Sequence, residues 1–144
     1  MRTIYDGATD ASYLIIDFNT YSTDASGYFI IGTAAVTPDI TQSSGFKPGD
    51  TTSDAVALYL DLASNFPNGT AVTAASLIDE IVYTARSGPA DAGLLPLLIG
   101  GTQLDENVNG ARNSDSIQRV PDGAGGYRDT TACQVKAATV RAAS

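Results

Sequence analysis

The stretch from Ser53 to Tyr83, SDAVALYLDLASNFPNGTAVTAASLIDEIVY, sets two apolar runs on either side of one well-marked reversal and constrains the fold more than any other part of the chain. In the first run Val56, Leu58 and Leu60 alternate with Ala55, Ala57 and Tyr59, a period of two that suits a strand with one buried face. Pro67 fixes its own φ and lacks an N–H, and Asn68-Gly69 tolerates positive φ, so the chain is expected to turn back between 65 and 70. In the second run Leu77, Ile78, Ile81 and Val82 also match a short helical stripe, but the β-branched content and Tyr83 favour a strand.

Shorter segments on both sides read the same way. Ile4-Tyr5 precedes the turn dipeptide Asp6-Gly7, and Tyr13 to Phe18 is a strand-length run with Leu14, Ile16 and Phe18 on one face. Tyr28 to Ile31, YFII, is the densest β-forming quartet and is expected near the centre of a sheet. Thr37 to Asp54, with Pro38, Gly45, Pro48 and Gly49, reads as a long connection holding at most a short strand near Ile40. Gly93 to Ile99, GLLPLLI, reads as a buried apolar turn, and Ser116 to Val120 as a short strand before the turn triplet Pro121-Asp122-Gly123. The Ala/Thr-rich tail, 130–144, fits an edge strand, a short helix or a loose end. Short apolar runs spaced by turn residues, with no long amphipathic helix, predict an all-β sandwich.

The 144 residues suffice for one domain whose core needs no staple. Cys133 is the single cysteine, so no intrachain disulfide forms, and a buried, idle thiol is the reading favoured for it. The chain has no histidine, which excludes Ser-His-Asp and Cys-His nucleophile systems and His-ligated metals. A formal net charge of −8 opposes nucleic acid and polyphosphate partners. The charge is uneven: 1–110 holds thirteen acids against three bases, whereas 111–144 holds three against five, which allows head-to-tail attraction between copies. No apolar run approaches a membrane span, and no apolar segment typical of an export signal follows Met1-Arg2-Thr3, so a soluble chain is expected.

Asp105, Asn107 and Asn109, followed by Gly110, imitate the opening of a calcium loop, in which alternating oxygen ligands wrap a hard cation. The likeness ends at the twelfth position, which is Ser116 instead of a bidentate Glu, so a turn rich in Asx hydrogen bonds is the favoured reading and calcium the lesser one. Asp79-Glu80 and Asp105-Glu106 are adjacent carboxylates, but strand neighbours point to opposite faces and do not share a substrate. Gly123-Ala124-Gly125-Gly126 lacks the Lys and following helix of a phosphate cradle. Asn68-Gly69-Thr70 is a glycosylation sequon, meaningful only in an exported chain.

YFIIGTAAVTPDI, SDAVALYLDLASNFPNGTAV with LIDEIVY, and QLDENVNGARNSDSIQRVPDG, in that order, resemble the lamin-tail domain superfamily, closest to its extracellular and bacterial-type members. The likeness spans about 5–129, leaving 130–144 as a tail. It implies an immunoglobulin-like β-sandwich, a non-catalytic role in tethering or assembly, and an extracellular setting. Two features depart from the family: no strand rich in I-N-E-I and E-x-I-E-L-Y patterns precedes Ile4, and the closing aromatic strand is replaced by 132–144. A sheet lacking that first strand would present unpaired edge groups, which predicts self-association by edge-strand addition unless the tail fills the gap. A ligand-binding or calcium-dependent adhesion module is the alternative.

Overall fold

The computed structural model describes residues 1–43 and 52–140. In chain order the strands are β1 (Arg2–Asp6), β2 (Ala11–Ile16), β3 (Ile31–Gly32), β4 (Ile40–Thr41), β5 (Asp54–Tyr59), β6 (Leu77–Thr84), β7 (Leu104–Asp105), β8 (Asp115–Arg119) and β9 (Cys133–Ala137). Only short 3-10 turns accompany them, so the protein is all-β among the described residues. The main sheet runs β2-β1-β5-β6-β7, with β3-β4 and β8-β9 as two-stranded pairs.

The two expected runs become β5 and β6, paired antiparallel with Val56 opposite Ile81 and a register break between Leu58 and Tyr59. Gly69 takes up the reversal at φ 89°. The tip of this connection folds back onto β2: Ser12 N–H donates to the Thr70 carbonyl at 2.8 Å and Gly69 N–H to the Ser12 carbonyl at 2.6 Å.

Alternation gives the sheet two unlike faces. On the first, Tyr5, Ala55 and Val82 form one row and Thr3, Ala57 and Glu80 the next, all buried. Met1, Tyr59, Phe66, Leu94 and Leu97 close over them as the core. The two alanines leave room for large rings: Tyr5 and Tyr59 meet edge to face at 6.4 Å, and Tyr59 lies 4.6 Å from Phe66. Tyr59 donates its hydroxyl proton to the Thr73 carbonyl at 2.6 Å, so in the 2.9 Å contact between the two phenols Tyr5 is the donor. The expected apolar turn at 93–99 is the lid of this core, with Leu94 and Leu97 fully buried in and beside the single turn Leu95–Leu97. Arg2, Ile4, Val56, Leu58, Asp79 and Ile81 lie on the opposite face.

Two expectations need correction or completion. Tyr28 to Ile31 is not a central strand: only Ile31–Gly32 joins a ladder, with β4, outside the main sheet. The backbone N–H groups of Tyr28 and Ile30 donate instead to the carboxylates of Asp24 (2.9 Å) and Asp39 (2.7 Å), so nearby acidic side chains satisfy donors that a sheet would have used. The short strand near Ile40 is present, while Gly45, Pro48 and Gly49 of the same connection lie outside the described residues. The tail supplies an edge strand, β9, which pairs with β8 and not with the main sheet. Thr130 anchors its start, buried, with its hydroxyl donating to the Thr102 carbonyl at 2.7 Å.

Candidate functional site

β2 is the outermost strand at one end of the main sheet. Backbone phase fixes which groups point there. Met1 and Tyr59 exchange bonds at 3.0 and 2.9 Å, and Gly7 donates to Ser53, so odd-numbered residues of β1 turn their polar groups to β5 and even-numbered ones to β2. Arg2 faces Ile16 and Ile4 faces Leu14, which leaves the N–H and C=O of Ile15 directed away from the sheet. The 69–72 segment covers only the first part of β2, through Asp10 and Ser12, and among the described residues no strand lies beyond Leu14 to Ile16.

The loop after β7 holds the calcium-like residues. Asp105 Oδ1 accepts from Asn107 N–H at 2.8 Å and Oδ2 accepts from the Ser87 hydroxyl at 2.8 Å. Asn109 Oδ1 accepts from Ala111 N–H at 2.9 Å while its Nδ2 donates to Asp115 at 2.7 Å. These oxygens hold the turn together, and among the described residues no group of three acidic, Cys or His ligands is gathered. Gly110, at φ 75°, makes the bend the sequence asks for.

The adjacent carboxylates Asp79 and Glu80 do diverge. Asp79, on the outer face, accepts through both carboxylate oxygens: Arg119 Nη2 donates to Oδ1 and Oδ2 at 2.8 and 2.9 Å, and the N–H groups of Arg128 and Glu80 donate to Oδ1 at 2.7 and 2.9 Å. Glu80, 3% exposed, enters the core with neither carboxylate oxygen hydrogen-bonded among the described residues. Burial pushes its pKa up to about 8, against the opposing charge of Arg128. Thr3, in the same row across Ala57, also has its hydroxyl without a partner there. Nothing in the sequence of β6 marks Glu80 as the buried member beyond its position in the alternation.

A cavity of about 800 Å³ opens between the outer face of the main sheet and β8. Val56, Ile81 and Tyr83 form its floor, Ile117 and Val140 lie opposite, and Phe29, Ile31 and Val36 close a side. Thus YFII, though not a central strand, packs as a wall. Arg2, Glu106 and Arg112 are the charged groups in the lining. Tyr83 lies in the same lining, and its phenol is raised by burial, with the nearby Asp54 and Glu106 adding to the rise and Arg2 opposing it. Burial raises Glu106 and the neighbouring Arg112 opposes that rise; burial lowers Arg2. Arg112 Nη1 donates to the Ala85 carbonyl at 3.1 Å, which holds the guanidinium at the cavity.

The chain matches no protein-family model, no curated protein and no solved structure.

Proposed function

We propose that this chain is a non-enzymatic structural or assembly module, of immunoglobulin-like sandwich type, that joins further copies by adding a strand at its sheet edge. The observation that carries the reading is the destination of the tail. β9 pairs with β8, so it does not cover β2, and Ile15 offers an outward N–H and C=O at the β2 end of the main sheet. Such an edge templates main-chain pairing, and a second copy presents the same edge for an isologous antiparallel contact. The resemblance to lamin-tail domains, whose members tether and assemble, supports the same role and an extracellular setting.

The test is molar mass by light scattering over a concentration series, for the wild type and for Ile15→Pro. Proline is tolerated on an edge where the lost N–H faces outward, and it removes the donor a second strand needs. The wild type is expected to form a concentration-dependent dimer or larger species and Ile15→Pro to stay monomeric with an unchanged far-UV spectrum. A wild type that is monomeric throughout, or an Ile15→Pro that associates equally well, rules the edge out.

A further inference from the structure

We propose that the core holds a binding site for a single water molecule in the row formed by Thr3, Ala57 and Glu80, where the water bridges the Thr3 hydroxyl and the Glu80 carboxyl. The three residues are ladder partners on β1, β5 and β6 and share the core face of the sheet. All three are buried, with Thr3 and Ala57 at 0% exposure and Glu80 at 3%. Thr3 Oγ1 and both carboxylate oxygens of Glu80 have no hydrogen-bond partner among the described residues. Three such atoms in one row are unusual, because a buried polar atom without a partner forfeits the bonds it makes to solvent in the unfolded chain. One strand separates the two residues, so their backbones are about 10 Å apart, and a water bonded at about 2.8 Å on each side spans about 5.6 Å of that gap. Ala57, between them, carries only a methyl group. The phenols of Tyr5 and Tyr59 are close by, since the charge of Glu80 raises both. Tyr5 donates to Tyr59 and Tyr59 to the Thr73 carbonyl, so neither has a proton left for Glu80, but the Tyr5 oxygen still accepts. Arg128 directs its Nε and Nη2 to the Leu97 and Pro96 carbonyls. Water suits what remains. Its lone pairs take the hydroxyl protons of Thr3 and neutral Glu80, and one of its own protons reaches the Tyr5 oxygen, about the three bonds that a buried water makes. An apolar occupant would answer none of these atoms, and a divalent cation would find one acid in the row. The site lies on the core face and depends neither on the β2 edge nor on assembly.

The test is relaxation dispersion of the water oxygen nucleus, which counts waters held inside the protein and is blind to the exchange of hydroxyl protons. It is run on the intact chain at about pH 6, below the value of about 8 to which burial raises Glu80. The wild type is compared with the double variant Thr3→Val, Glu80→Met, in which apolar groups of similar volume replace both partners. The double variant is expected to hold one long-lived water fewer than the wild type, because an apolar space of this kind stays dry. Nuclear Overhauser transfer from water to the Ala57 methyl group is expected in the wild type and is expected to vanish in the double variant. An equal count of long-lived waters in the two proteins, or no transfer to Ala57 in the wild type, overturns the assignment. If the double variant does not fold, Thr3→Val alone is the second variant. It removes one end of the bridge at constant volume and is expected to lower the dispersion, and an unchanged dispersion is equally decisive against the site.

Discussion

At the scale of single residues, Glu80 is the strongest departure from what a core prefers. A carboxyl group 3% exposed, with both oxygens lacking hydrogen-bond partners among the described residues, is tolerable only while it is neutral. The groups around it are Thr3 across the sheet, the Tyr5 and Tyr59 phenols, Asp79 next to it in the chain, and Arg128. Its ordinary value is 4.5, and burial in the folded state raises it to about 8. Below 4.5 it is protonated folded or unfolded and contributes no pH dependence. Between 4.5 and about 8 the folded state keeps a proton that the unfolded state releases, so stability falls as pH rises, by up to about 1.4 kcal/mol per pH unit. Above that window the loss is complete. Glu80→Gln keeps the shape without the titration. Urea unfolding of both proteins from about pH 4 to about pH 9 is therefore expected to show the variant gaining on the wild type throughout that window. Parallel curves would mean that Glu80 is solvated in the folded protein.

At the scale of elements, one carboxylate ties the end of β8 to the main sheet. Asp79 accepts two bonds from Arg119, near the end of β8, and one from the backbone of Arg128, while Arg119 Nη1 also donates to the Gly126 carbonyl at 2.8 Å. In Asp79→Asn one oxygen becomes an NH₂ facing donors, so the site loses charge and gains a clash of like groups. A loss of about 2 kcal/mol is expected, together with faster hydrogen exchange in β8 and β9 than in β5. Uniform acceleration in all three strands would show that the pairs unfold as one unit. Local signals alone could show only part of this arrangement. Period-two alternation and turn residues made β5, β6 and the divergence of Asp79 from Glu80 legible, because those depend on neighbours in the chain. The partner of Asp79 lies 40 residues away in SIQRV, and nothing local in either segment announces it. Tyr28 to Ile31 misleads for the converse reason: its β propensity is real, but Asp24 and Asp39 satisfy its backbone locally. Likewise Arg2, Glu106 and Arg112 are scattered in sequence and become a cluster only when the sheet and the β7 loop bring them to one cavity.

At the scale of the whole molecule, the proposed self-association raises the question of which force would bring copies together. The sequence divides into an acidic body and a more basic end, and the fold ties several of those arginines into internal hydrogen bonds. Arg119 is paired with Asp79, Arg112 donates to Ala85 in the cavity, and Arg128 donates to the Leu97 and Pro96 carbonyls at 2.6 and 3.3 Å. Of these three only Arg119 is neutralised, by an ion pair, and Arg112 and Arg128 keep their charge, while every copy carries a formal charge of −8 and repels the next. The proposed edge-strand addition would then work against electrostatics, through main-chain bonds and apolar contact. Salt distinguishes the two mechanisms by sign. Raising ionic strength from about 0.1 M to about 1 M shortens the screening length from about 10 Å to about 3 Å. Screening removes repulsion between like-charged copies, so the dimer dissociation constant measured by sedimentation equilibrium is expected to fall or hold steady across that range. A constant that rises steeply with salt would mean that opposite charges on the body and the tail hold the copies together, and that the β2 edge is not what joins them.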